Sequence, residues 1–165
     1  MDQRKSEPVT LAKALSIKNR LAGRLSQTRS NIETYNSVPA GQRDDAGRAT
    51  VDVRAELERL LMLQDGLVVV KAAIQRSNVP VYEDVLRLAE KKALVQMLNG
   101  LDTRHGTEPG FGGIEHRYSA TILKPEVLEM VRRLEAEIDK LQDKLNQYNA
   151  TTTVEVPQAI LDLAR

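Results

Sequence analysis

The chain has no cysteine, no tryptophan, one phenylalanine and two histidines. Without cysteine there is no disulfide framework, no thiolate nucleophile and no thiolate metal site, in keeping with a reducing compartment. Phe111 and four tyrosines are the only aromatics, so the core has to be aliphatic, which suits helix packed on helix. Long apolar runs are also missing: runs such as residues 67–70 fall far short of the ~20 residues of a membrane span. The opening MDQRKSEPVT is charged and lacks the apolar stretch of a secretory signal, so a cytoplasmic protein with no membrane partner is expected. Charge of one sign is absent too, the formal net charge being +1. That argues against a dedicated nucleic-acid binder of the strongly basic kind and makes any anion site a local one.

What is present is helical periodicity. Leu11, Ala14, Lys18, Leu21, Leu25, Thr28, Ile32 and Tyr35 recur at steps of three and four after Thr10, which predicts a helix with a coiled-coil-like seam. Proline, two glycines and paired aspartates then place a loop over residues 36–50. A second helix is expected from about Thr50 or Val51, with Val53, Leu57, Leu60, Leu67 and Ile74 on one stripe and Gln64 and Lys71 interrupting it. Polar residues at such positions fix register or partner choice. Pro80 breaks the pattern, because the residue before a proline is pushed out of the α region. A third helix follows over about residues 81–99, its apolar side chains wrapping more than one face, which predicts deeper burial.

Residues 101–124 read as a long loop, with four glycines, one proline and no helical period; such loops are functional or disordered. Lys124 and Pro125 open the last long helix, in which Val127, Val131, Leu134, Ile138, Leu141, Leu145 and Tyr148 keep heptad steps without exception. The tail, residues 150–165, offers a short β-branched strand, TTTVEV, and one or two closing helical turns. The fold expected is therefore all-α: one domain, residues 1–165, as an antiparallel bundle of about four long helices that self-associates, since so regular a seam needs a long partner.

Catalytic chemistry finds little support. His105 and His116 stand eleven apart in the glycine-rich stretch, without H-x-x-x-H or H-E-x-x-H spacing, so no metal site is assigned. G-x-S-x-G and the phosphate-cradling G-x-x-x-x-G-K-[ST] are missing, so neither a nucleophile nor a cofactor is assigned. One constellation does point to binding. Arg104, His105, Phe111, His116, Arg117 and Tyr118 are the types that grip phosphate with guanidinium forks and stack on a base. Arg76, Asn78, Asn149 and Thr151 lie at expected helix ends, where they add a cation and neutral hydrogen bonds. In the competing reading, the arginines and histidines pair with Asp102, Glu108 and Glu115 and merely order a loop.

The segments TLAKALSIKNRLAGRL, IQRSN, HRYSATI and KLNQYNATTTVE resemble a family of small helical bacterial and phage proteins, some of them labelled septicolysin. The resemblance covers most of the chain from Thr10 to about Glu155, with IQRSN and NATTT its most specific parts; Ala150 stands where the family pattern has a tryptophan. It implies an oligomeric helical bundle with no established activity. Together these features predict a non-enzymatic homo-oligomer that binds a small anionic, nucleotide-like ligand; one specific version is a phage protein that sequesters a host immune signal. The alternative is a helical scaffold acting through protein–protein contacts without a ligand.

Overall fold

A computed structural model describes residues 6–37, 39 and 51–165, apart from the side chain of Phe111. Most of the loop expected over residues 36–50 lies outside the described residues. The chain is mostly helical, with small antiparallel strands, and the all-α expectation holds at that level. It divides into two units, Met1–Val79 with Tyr148–Arg165, and Pro80–Gln147.

In the first unit, strand β1 (Ser6–Thr10) leads into helix α1 (Leu11–Tyr35), 25 residues long. Thr10 caps it, its hydroxyl accepting the Lys13 N–H at 3.2 Å. Helix α2 (Val53–Asn78) starts behind Asp52, whose carboxylate accepts from the N–H groups of Arg54 and Ala55. The two helices form an antiparallel pair, with Asn31 near the end of α1 donating to Glu56 near the start of α2. Strand β4 (Thr153–Pro157) runs antiparallel to β1, Val9 opposite Val154 and Glu7 opposite Val156. The β1 strand had no signal in the periodicity, whereas the β-branched run TTTVEV foreshadowed β4. The short helix α5 (Gln158–Leu163) ends where Arg24 donates to the Leu163 carbonyl at 2.9 Å.

The α1 seam carries the core as expected: Leu11, Ala14 and Leu21 are fully buried and Thr28 nearly so. Ile17, rather than its neighbour Lys18, is the buried residue of the turn between Ala14 and Leu21, while Leu25, Ile32 and Tyr35 are half-buried. Leu63, Val70 and Ile74 of α2 meet them, closed off by Val154, Val156, Ile160 and Ala164. The stripe expected on α2 is therefore partly misphased. Leu60, Leu67 and Ile74 do turn inward, but their companions are Leu63 and Val70, one residue before the predicted Gln64 and Lys71. Both polar residues are exposed, as is Leu57. A one-residue step rotates a helical position by about 100°, enough to move it from the seam to solvent.

In the second unit, a turn of 3-10 helix at Val79–Val81 precedes helix α3 (Tyr82–Asn99), which ends at Gly100. Helix α4 (Lys124–Thr151) runs antiparallel to α3: Asp84 pairs with Lys144 at 2.6 Å, Lys91 with Glu137, and Leu98 packs against Val127 and Val131. All seven residues of the predicted α4 seam are buried or half-buried. The α3 expectation needs correcting. Val81, Leu88 and Leu98 are buried, but Leu86, Leu94 and Met97 on its other faces are exposed.

Candidate functional site

Residues 101–124 are not a structureless loop. Strands β2 (Gly106–Pro109) and β3 (Glu115–Tyr118) form an antiparallel hairpin with Gly106 opposite Tyr118, Thr107 opposite Arg117 and Glu108 opposite His116. Four-residue strands rich in Glu, His and Arg show no apolar alternation, so the pattern that reveals a half-buried strand was missing. Glycine makes the turn. Gly112 and Gly113 have φ of 78° and 81°, the left-handed region. Gly110 is needed for a different reason: a Cβ there would lie 2.3 Å from the His116 ring and 2.8 Å from the Ile114 carbonyl, to which the Gly110 N–H donates.

Pleating divides the candidate residues between two faces of the hairpin. On one, the Arg104 guanidinium lies 4.0 Å from the centre of the Tyr118 ring, and the His116 ring is 6.4 Å from that of Tyr118. Asp102 grips Arg104, accepting from its backbone N–H at 3.0 Å and from Nε at 3.0 Å. Those hydrogen bonds hold the Asp102 carboxyl down at about 2 and push the Arg104 guanidinium up. Glu108 stands 4.0 Å from the same guanidinium. For Arg104, then, pairing with its own acidic neighbours is what the structure shows. Arg117 and Thr107 stand on the opposite face, exposed, and Arg117 has no ion-pair partner among the described residues. His105 is exposed just before β2, and the side chain of Phe111 lies outside the described residues.

The remaining candidates belong to the first unit. The Tyr148 phenol donates to the Ser77 carbonyl at 2.7 Å, tying the end of α2, which carries Arg76 and Asn78, to the last turn of α4, which carries Asn149 and Thr151. Thr151 also donates to the Tyr148 carbonyl at 3.4 Å, and the Thr152 carbonyl accepts from Leu11. Asn78 and Asn149 are half-buried while Arg76 and Thr151 are exposed.

No family model, curated protein or solved structure matches the chain. The resemblance to the septicolysin-labelled family therefore stands on the quoted segments alone. No helix among the described residues is long and apolar enough to cross a membrane. Nor does any group of three His, Asp or Glu side chains among them come together to share a cation.

Sequence reasoning missed one further concavity. Met62, Asp65, Gly66 and Val69 of α2 and Pro157, Ala159, Ile160 and Leu163 line an open, largely apolar groove of about 430 Å³. Gly66 was its only signal, a glycine inside a helix, where it weakens the helix unless something approaches closely. A Cβ at Gly66 would touch Ile160 and Leu163 at 3.7 Å, which is ordinary contact.

Proposed function

We propose that this chain is a non-enzymatic, self-associating helical bundle protein that binds a small anionic, nucleotide-like ligand and releases it unchanged. The observation that carries the reading is the exposed surface of the hairpin. Arg104 is clamped by Asp102 over the Tyr118 ring, with His116 beside it, so a cation and two flat rings are held in place before any ligand arrives. Fixing such groups in advance lowers the entropy lost on binding. A base needs a π-face, and His116 supplies one beside the Arg104 cation; Arg117, a guanidinium fork with open donors, offers a separate phosphate contact on the opposite face of the hairpin. Arg76, Asn78 and Asn149, near the helix ends that Tyr148 ties together, add a cation and amides on the first unit. Sequestration of a signalling nucleotide by a phage-derived protein of the cytoplasm is the specific form of this proposal.

A scaffold that acts through protein contacts alone is the second reading, favoured by the apolar side chains exposed on α2 and α3, such as Leu61, Val68, Leu86 and Met97. A thermal-shift screen against nucleotides and cyclic nucleotides separates the two. A ligand that binds only the folded state raises the melting temperature. Recovery of that ligand unaltered after incubation supports binding without turnover; recovery of a product overturns it.

A further inference from the structure

Asp65 of α2 is a charge in apolar surroundings. The positions three and four residues to either side of it, its neighbours on the helix surface, are Leu61, Met62, Val68 and Val69. All four are exposed, Met62 at 52% and Val69 at 41%. None of them can pair with a carboxylate, and Asp65 has no hydrogen-bond or ion-pair partner among the described residues. It is the one charged residue lining the groove between α2 and α5. The facing wall is anchored, since Ile160 and Ala164 are buried in the core and Arg24 donates to the Leu163 carbonyl at 2.9 Å. Asp162 on α5 is already engaged, by Gln158 at 3.1 Å and by Arg165 at 3.2 Å. Gly66 forms the floor. A Cβ there would meet Ile160 and Leu163 at 3.7 Å, an ordinary contact, so packing does not demand glycine at a place where glycine weakens the helix. The missing methyl leaves its space to the groove.

We propose that this groove binds a small amphiphilic amine, its apolar body lying between α2 and α5 and its ammonium against Asp65. The site belongs to the first unit and is independent of the ligand proposed for the hairpin. Size agrees, because about 430 Å³ falls within the roughly 300–1,000 Å³ of small-molecule sites, which are mainly apolar with a few placed polar groups. Length agrees too. Met62 and Val69 stand seven residues apart, about 10 Å along the helix at 1.5 Å per residue, which suits a ring system or a short alkyl chain. Charge then selects the head group. An anion would be repelled by the carboxylate, and a neutral body would strip water from it and leave it without a partner. An ammonium supplies the ion pair that the neighbours of Asp65 cannot, and the apolar walls that exclude water strengthen it.

Octylamine, octanol and octanoate test this with one chain and three head groups, cationic, neutral and anionic at pH 7. The methyl NMR signals of Met62, Val69 and Ile160 are expected to shift saturably with octylamine. Its affinity should exceed that of octanol by about fivefold, the upper worth of an exposed ion pair, and that of octanoate by more. Asp65→Asn, at an exposed position, is expected to erase the preference for the amine while octanol binds as before. Gly66→Ala is expected to weaken all three with the helical circular dichroism retained. Equal affinity for the three head groups, an amine preference that survives Asp65→Asn, or no saturable shift with any of them overturns the proposal. Shifts of the same methyls on diluting the chain alone would place a second copy in the groove and overturn it as well. If Gly66→Ala does not fold, the comparison of head groups in Asp65→Asn decides alone.

Discussion

Arg104 lies 4.0 Å from the centre of the Tyr118 ring while Asp102, two residues earlier in the chain, holds the edge of its guanidinium by accepting from Nε and Nη2. The ion pair is exposed and contributes little stability by itself. Its value is positional, since it fixes a cation on a ring at the edge of the hairpin.

Acid should release that arrangement, and the sign can be worked out. The Asp102 carboxyl is drawn below its ordinary 3.8 to about 2 by its hydrogen bonds to Arg104. A group whose folded value is depressed stabilises the fold above its unfolded value and loses that contribution as pH falls through the folded one. The clamp is therefore intact near neutrality and lost between about pH 4 and pH 2. Carbon-detected NMR of the Asp102 carboxyl should give a midpoint near 2, returning to the usual carboxylate range in Arg104→Ala. A wild-type midpoint near 4 would show that the pair does not form in solution.

Gly110→Ala should disturb the hairpin without touching the helices. The new methyl would sit 2.3 Å from the His116 ring, so either the ring leaves its place beside Tyr118 or the turn opens. Amide and aromatic NMR shifts should change at residues 106–118 and stay constant over α1. Unchanged His116 shifts would contradict the close approach.

A neutral hydrogen bond from Tyr148 to the Ser77 carbonyl ties the end of α2 to that of α4. Tyr148→Phe keeps the ring but leaves the Ser77 carbonyl without its donor. A loss of about 0.5–1.5 kcal/mol is expected from urea denaturation. Leu21→Ala, at a fully buried position of α1, should cost more, about 2–5 kcal/mol. If the tyrosine variant proved the more damaging, the end of α2 would depend on that contact more than on its core.

The helices were legible where one face decides burial. The α1 and α4 seams could be read because each packs mainly along one stripe, so periodicity and burial coincide. On α2 the buried stripe of Leu63, Gly66 and Val70 is accompanied by exposed apolar side chains, among them Leu57, Leu61, Met62, Val68 and Val69. Apolar residues then occur on more than one face, and the phase chosen from sequence came out one residue late on one side of the seam. The hairpin was hidden for the opposite reason: with Glu108, Glu115, His116 and Arg117 all in its strands, it has no apolar face to betray a period of two. Of the ten candidate binding residues, composition identified a plausible set but could not sort it. Only geometry separates Arg104, already committed to Asp102, from Arg117, which stands apart on the other face.

The distinction between those two arginines gives the most direct test of the central claim. Isothermal titration should be run on the wild-type chain, Arg117→Ala and Arg104→Ala with the nucleotide that gives the largest thermal shift. A charge-assisted contact is worth about 1.5–3 kcal/mol, so the variant that removes the arginine on the ligand's face of the hairpin should lose at least about tenfold in affinity while the other variant keeps it. Saturable binding by the wild-type chain, weakened in one of the two variants with the helical spectrum retained, is the predicted result. Equal affinity in all three proteins, or no heat from any nucleotide, would contradict the hairpin as a binding surface.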